Sequence, residues 1–276
     1  MQSNRREQRV CGLLGGLTYV STVDYYNYIN RMVNKALPGH GSRIHIVSLN
    51  VFYYVKLLEQ NEWSKAIDYL MEGIRQLVNS GIDFLIIGSN TSHIAVPRIT
   101  DCYPYLVVLH IGDAVAHSIK QKKIHKIGFL GTRFAMKFDS QVVQRLIEHE
   151  LEVIFPDEEE IVRLNDIIMN ELSFNIVTEE SKQTFLKVIQ RLNDEQNIEG
   201  IVLGCTEIPV LIKQNDIPHV LLFDSTQLHV QLAVDYQIGR QSIKAVLPYN
   251  NRKKSRENTS PINSQIVCIR PVALNF

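Results

Sequence analysis

Short apolar runs along the chain alternate with longer segments in which apolar residues recur at helical spacing. The runs predict eight β-strands, at residues 10–14, 44–49, 84–87, 106–109, 127–130, 153–155, 201–203 and 220–223. The helical spacing predicts helices around residues 25–33, 67–78, 142–147, 164–172 and 185–192. Continuous apolar strands that alternate with amphipathic helices are typical of parallel βαβ units with helices on both faces of the sheet.

The chain also matches itself at a constant offset of 116 residues. Residues 81–89 and 197–205 share one pattern of apolar and acidic positions, so Ser89 corresponds to Cys205. The same offset carries Gly15, after the first strand, onto Gly131, after the fifth. The repeat predicts two pseudo-symmetric α/β lobes with parallel sheets and an active site in the cleft between them.

The division of the chain follows from this repeat and from a change of composition. The first predicted lobe comprises residues 1–120 together with 223–248, and the second comprises residues 121–222. From residue 249 to residue 276 the chain begins with a polar, basic segment rich in turn-forming residues, which predicts a flexible C-terminal tail.

Composition and charge exclude several classes of function. The chain has 276 residues, with 29 basic and 29 acidic side chains, so its net charge is zero. A chain without an excess of positive charge is not expected to bind nucleic acid or an anionic membrane. Its four cysteines have no CxxC spacing, so neither a zinc site nor a disulfide framework is indicated. The amino terminus is polar and no apolar run reaches the ~18 residues of a membrane span. We therefore expect a cytoplasmic protein.

Cys205 is the leading candidate for chemistry because it follows a buried strand. The carboxyl ends of strands are where open α/β sheets bind ligands. Ser89 would face the same ligand from the other lobe. Two groups on opposite faces of one carbon suit the inversion of a stereocentre, in which one group removes a proton and the other returns one. A free cysteine has a pKa of about 8.5, which amide donors and helix N-termini lower.

Five motifs carry a resemblance to a known family. They are Gly-Leu-Leu-Gly-Gly at 12–16, Asn-Thr-Ser-His at 90–93, Leu-Gly-Thr at 130–132, Gly-Cys-Thr-Glu at 204–207 and Phe-Asp-Ser-Thr at 223–226. In this order, over residues 10–247, they resemble the aspartate/glutamate racemase family. The resemblance implies an amino-acid racemase for aspartate or glutamate that uses neither pyridoxal phosphate nor a metal and forms a homodimer.

The resemblance also assigns roles to individual residues. Cys205 and Ser89 take the two catalytic positions, one from each lobe. The residues implied in substrate binding are Gly15, Asn90, Thr91, Thr132, Arg163, Thr206 and Glu207. Asn90 and the three threonines would hold the α-carboxylate and the amino group, and Arg163 would hold a side-chain carboxylate. Glu207 would tune the thiol, or would simply be an acidic residue in the first turn of a helix.

Ser89 departs from the family, which commonly has a cysteine at this position. A hydroxyl can donate a proton but is a much poorer base than a thiolate. We therefore predict asymmetric catalysis, fast on the Cys205 face and slow on the Ser89 face. Asn50 and Leu58 replace a frequent Asp and Gln, which leaves the identity of the substrate open. A single catalytic cysteine also fits a decarboxylase of the same superfamily, and a catalytically impaired protein that binds acidic amino acids is a third alternative.

Each of these residues also has a purely structural interpretation. Cys205 and Ser89 could be small residues that fill the ends of strands, and Arg163 could be a solvated helix residue. His93 and His229 could orient the substrate or could be structural histidines whose hydrogen bonds are satisfied within the protein. The remaining cysteines in strands and turns, Cys11 and Cys102, receive no chemical role.

Overall fold

The computed structural model of the chain describes residues 8–248, so the predicted tail at 249–276 lies outside the described residues. Within this range two parallel sheets of four strands each are formed. The first sheet contains β1 (Cys11–Gly15), β2 (Ile44–Ser48), β3 (Phe84–Ile87) and β4 (Val107–Val108), in the order β2-β1-β3-β4. The second contains β5 (Lys126–Leu130), β6 (Glu152–Ile154), β7 (Gly200–Leu203) and β8 (Leu221–Asp224), in the order β6-β5-β7-β8. The predicted α/β fold with two parallel sheets is confirmed.

Helices cover both faces of each sheet. They are α1 (Tyr19–Ala36), α2 (Val51–Glu59), α3 (Trp63–Asn79), α4 (Val96–Cys102), α5 (Ile111–Gln121), α6 (Gln141–Glu148), α7 (Glu158–Asn170), α8 (Glu179–Gln196), α9 (Ile208–Leu211) and α10 (Ser225–Gln237). Successive strand residues enter different cores because side chains alternate across a sheet. Leu13 packs with Tyr25 of α1, whereas Leu14 packs with Leu70 of α3 on the other face. The central strands β1, β3, β5 and β7 are therefore buried on both sides, which explains their apolar runs, whereas the edge strand β2 is partly exposed.

The two sheets repeat each other in register as well as in strand order. Gly12 of β1 lies opposite Leu85 of β3, and Gly128 of β5 lies opposite Ile201 of β7, so both partners shift by the same 116 residues. A Cβ atom on Gly128 would lie 2.4 Å from Ile201 Cδ1, so a larger residue would require the Ile201 side chain to shift. The internal repeat read from the sequence is thus present in the hydrogen-bonded pairing of the strands.

Helices α2 and α5 are among those that the sequence pattern does not predict. The α2 sequence, Val-Phe-Tyr-Tyr-Val-Lys-Leu-Leu-Glu, is rich in β-branched and aromatic residues that favour strands, and its helical form is stabilised by packing against α3. At the carboxyl end of the second sheet, β8 leads directly into α10, which packs against α1 and α5. The division into lobes at residues 222 and 223 stays a prediction.

Candidate active site

Ser89 and Cys205 occupy equivalent positions, each directly after a strand-terminal glycine. The amide of Gly88 donates to the carbonyl of Leu14 over 2.9 Å, and the amide of Gly204 donates to the carbonyl of Leu130 over 2.6 Å. Each bond extends the pairing of a central strand by one residue and so fixes where the next side chain begins. The repeat therefore places a hydroxyl and a thiol at matching sheet edges.

Both side chains line one cavity of about 80 Å³ between the two halves of the chain. Its wall contains seven of the nine residues predicted for the site: Ser89, Asn90, Thr91, Thr132, Cys205, Thr206 and Glu207. The remaining lining residues are Leu17, Thr18, Val51, Tyr54, Val55, Leu58, Phe134, Ile168, Met169, Ser173 and Gly204. The hydroxyls of Thr91 and Thr132, one from each sheet's loops, lie 3.3 Å apart across it.

The Cys205 thiol donates a hydrogen bond to a buried carboxylate. Its Sγ lies 3.0 Å from Oε2 of Glu207, whose residue is 4% exposed. Burial of the thiol, followed by the charge and hydrogen bond of Glu207, raises the pKa of Cys205 well above its ordinary value, although the amides of Glu207 and Thr206 act in the opposite direction. The resting cysteine is therefore a thiol whose proton points at Glu207.

Glu207 also accepts two hydroxyl hydrogen bonds. Thr206 Oγ1 donates to Oε2 over 2.6 Å, and Thr18 Oγ1 donates to Oε1 over 2.7 Å. Thr18 belongs to the loop after β1, and its hydroxyl also accepts from the amide of Ser21 as the N-cap of α1. Three donors thus stabilise the carboxylate charge of Glu207, and Thr18 is a site residue that the sequence motifs did not reveal.

The surroundings of Ser89 are different. Among residues 8–248, the only hydrogen bond made by its hydroxyl is a long one, 3.4 Å, accepted from the amide of Ser92. His93 donates from Nδ1 to the Ser89 carbonyl over 2.8 Å, and its Nε2 accepts from the amide of Ile111 over 3.1 Å. Because burial lowers the pKa of His93 to about 3, this imidazole is neutral and holds the Ser89 backbone. No acid or base of the described chain contacts the Ser89 hydroxyl.

Asn90 lines the cavity, and its buried side-chain oxygen, Oδ1, has no hydrogen-bond partner in the described part of the chain. Tyr54 also lines the cavity, and its buried hydroxyl interacts with the side chain of Ser92. The amide nitrogen of Asn90 donates to Ser225 Oγ over 3.2 Å, which orients the side chain and leaves its oxygen as an acceptor. An unpaired buried acceptor matches the ammonium group of an amino acid. Tyr54 was not predicted, because it lies on the unpredicted helix α2.

The two remaining predicted site residues do not line the cavity. Gly15 ends β1, where a Cβ atom would lie 2.5 Å from Thr22 Cγ2, so this glycine permits the tight turn into α1. Arg163 is exposed on α7. His229 is buried behind the site, with Nδ1 at 2.9 Å from the Tyr25 hydroxyl and Nε2 at 2.7 Å from the carbonyl of Leu109. His93 and His229 therefore have the satisfied, structural environment that the sequence left as one alternative.

Residues 8–248 contain neither a candidate metal cluster nor a candidate membrane span. In that range no group of three or more His, Cys, Asp or Glu side chains is arranged to hold a metal ion. None of the helices described is long and apolar enough to cross a lipid bilayer.

Comparisons with known proteins agree with this geometry. Residues 14–233 match the sequence model of the Asp/Glu/hydantoin racemase family. A proposed Asp/Glu racemase from Yersinia pestis is 35% identical with a TM-score of 0.75, covering 83% of this chain and 99% of that one. An aspartate racemase homologue from Pyrococcus horikoshii is 28% identical with a TM-score of 0.70, over the same shares of the two chains. An aspartate racemase from Picrophilus torridus, at 19% identity and a TM-score of 0.64, covers 86% of this chain and 97% of that one, and shares the fold.

Proposed function

The chain belongs to the Asp/Glu/hydantoin racemase family and is a racemase, and from this premise we propose that it inverts the α-carbon of a free amino acid without a cofactor, at unequal rates from the two faces. One observation carries the proposal. Cys205 and Ser89, which the internal repeat relates, line the same cavity from different lobes. A substrate carbon held between them presents one face to a thiol and the other to a hydroxyl.

The proton transfers follow from the contacts of each group. For Cys205 to act as a base, its thiol proton first moves to Glu207, 3.0 Å away, and the resulting thiolate then removes the α-proton. In the reverse sense the thiol donates its proton to the planar intermediate on the same face. On the other face the Ser89 hydroxyl donates the proton, which leaves an alkoxide that must be reprotonated by water. The absence of a base at Ser89 within residues 8–248 makes this half-reaction the slower one.

The recognition of the amino acid would use the polar groups of the wall. Asn90 Oδ1 accepts from the ammonium, and the hydroxyls of Thr91 and Thr132 donate to the α-carboxylate. The acidic substrate predicted from the resemblance, aspartate or glutamate, finds no support from Arg163, which lies outside the cavity lining. The proposal made here therefore concerns the α-carbon alone, and both acidic amino acids belong in the tests.

Exchange of the α-proton in deuterated water tests the proposal. Proton NMR follows the loss of the α-proton signal from L- and D-enantiomers, with the wild-type protein and with Cys205→Ala. We expect exchange that falls at least a hundredfold in Cys205→Ala, since the alanine provides no base. If the α-proton signal is lost at the same rate with wild type and Cys205→Ala, or if no amino acid exchanges its α-proton, a Cys205-dependent racemase is contradicted. Either result would favour an amino-acid-binding protein.

The single thiol in the cavity also favours a second candidate. A decarboxylase that protonates a planar intermediate on one face needs a single proton donor. Cys205 would be that donor, because the Ser89 hydroxyl opposite it has no neighbouring base. Release of carbon dioxide from a disubstituted malonate, in the absence of α-proton exchange, would distinguish it.

A homodimer and a cytoplasmic location, both expected from the sequence, complete the proposal. Sedimentation equilibrium at several protein concentrations tests the dimer. A mass of one chain at all concentrations would contradict it.

A further inference from the structure

The walls of the cavity hold information about the substrate's side chain that the motifs do not. Apolar residues make up much of the lining: Leu17, Val51, Val55, Leu58, Phe134, Ile168 and Met169. On α2, the lining residues Val51, Tyr54, Val55 and Leu58 have the spacing i, i+3, i+4 and i+7, so one continuous face of this helix forms a wall. Ile168 and Met169 extend the apolar lining from α7.

The charges of the cavity have one sign. Among residues 8–248, no arginine, lysine or histidine lines it, and its ionised side chain is the buried carboxylate of Glu207. A second carboxylate, on the side chain of a bound aspartate or glutamate, would lose its hydration without gaining a cationic partner. It would also be repelled by Glu207 in a site of low polarity. Both effects oppose an acidic side chain, whereas an apolar side chain has favourable contacts with α2 and α7.

We propose that this racemase acts on amino acids with uncharged, apolar side chains, which contact Val51, Val55 and Leu58 on α2. The inference rests on the proposed function and names the substrate class of the same site. It assigns these three aliphatic residues a role in specificity, because they line the cavity and offer no charge to pair with the side-chain carboxylate of aspartate or glutamate.

One neighbouring lysine offers a competing route for an acidic side chain. Lys137 lines an adjacent cavity, which shares Asn90, Thr91 and Phe134 with the first. A side-chain carboxylate that passed Phe134 and reached Lys137 would favour glutamate. A variant Lys137→Gln separates the two routes, since it would reduce activity on glutamate and leave leucine unaffected.

The test compares kcat/KM for α-proton exchange in deuterated water with leucine, methionine, lysine, aspartate and glutamate. We expect values for leucine and methionine at least tenfold above those for aspartate, glutamate and lysine. The variant Val55→Lys, which places a cation on the α2 wall, should lower exchange of leucine and raise that of aspartate at least tenfold. Val162→Lys is the matched control, because Val162 is 51% exposed on α7 and does not line the cavity.

The outcomes separate this inference from the function on which it rests. Cys205-dependent exchange that is fastest with aspartate, glutamate or lysine would overturn the inference and leave the racemase intact. No Cys205-dependent exchange with any of the five would overturn the proposed function and the inference together. If Val55→Lys does not fold, as judged by circular dichroism, the ratio of leucine to aspartate in the wild-type protein decides the question alone.

Discussion

At the scale of single residues, the site differs from a symmetric pair of acid and base in the neighbours of each group. Cys205 has a carboxylate at 3.0 Å that can accept its proton, whereas the Ser89 hydroxyl has a distant backbone amide. A buried thiol next to a negative charge is held in its protonated form, so the thiolate exists only when Glu207 takes the proton. Glu207 raises the pKa of the resting thiol, and in the proposed mechanism it also accepts the proton when the thiolate forms.

Replacing Glu207 by glutamine separates these two effects. In Glu207→Gln the negative charge is gone, so the pKa of Cys205 should fall and alkylation by iodoacetamide should become faster at neutral pH. Exchange of the α-proton should nevertheless decrease, by at least tenfold, because glutamine cannot accept the thiol proton. Stopped alkylation assays from pH 6 to 10 and the exchange assay measure the two quantities.

A matched control for this substitution lies on the surface. Glu180 is exposed on α8, and Glu180→Gln should change neither quantity. Slower alkylation in Glu207→Gln than in wild type would contradict the electrostatic account of the thiol.

At the scale of helices and strands, burial decides how much could be predicted. The central strands could be located because both of their faces are covered, which gives short runs without polar residues. The role of Thr18 at the start of α1 could not be predicted in the same way. Its hydrogen bond to Glu207 joins residues that are 189 positions apart in the chain. Helix α2 was not predicted because its local composition favours a strand. The apolar cavity wall and Tyr54, which belong to this helix, were therefore not predicted either.

The strand-terminal glycines make a matched pair that tests the repeat at this scale. A Cβ atom on Gly204 would lie 2.2 Å from Phe129 Cζ and 2.8 Å from the carbonyl of Leu130, whereas one on Gly88 would meet its neighbours at 3.4 Å or more. Gly204→Ala should therefore reduce the free energy of unfolding by ~1–3 kcal/mol, the usual cost of overpacking. Gly88→Ala should cost less, and urea unfolding of the two variants checks the difference. Equal losses would contradict the packing described at the end of β7.

At the scale of the whole molecule, a cluster of buried histidines lies between the sheets behind the site. The rings of His93 and His110 are 4.5 Å apart, and those of His93 and His229 are 5.8 Å apart. Burial lowers the pKa of His93 to about 3 and of His229 to about 4, and lowers that of His110 well below its ordinary value. These imidazoles are neutral in the folded protein and support the Ser89 loop and α5 through backbone hydrogen bonds.

The cluster predicts a loss of stability in mild acid. Below the ordinary histidine pKa of about 6.5, the unfolded chain binds protons that the folded chain does not, so the free energy of unfolding decreases as pH falls. Each of the three histidines contributes a slope that approaches about 1.4 kcal/mol per pH unit between pH ~6.5 and ~4. Urea unfolding at pH 7, 6 and 5 measures it. A free energy of unfolding that is constant from pH 7 to pH 5 would contradict buried neutral histidines.

The symmetry of the whole molecule could be predicted from the sequence, because the internal duplication left the strands in register. The substrate could not be predicted from the sequence. The identity of the bound side chain depends on which faces of α2 and α7 meet across the cavity. Arg163 illustrates the difference: its position in the sequence suggested a carboxylate ligand, but the rotation of α7 leaves it exposed. Motif positions located the two proposed reacting groups, and only tertiary packing showed which groups surround them.

Ser89→Cys tests whether the two proton-transfer groups of this racemase are unequal. The measurement is the ratio of α-deuterium incorporation rates for the two enantiomers of one amino acid, in wild type and in the variant. We predict a ratio of at least ten in wild type that moves towards one in Ser89→Cys, because the new thiol supplies a base on the slow face. A wild-type ratio near one, or a ratio that the substitution leaves unchanged, would contradict the account.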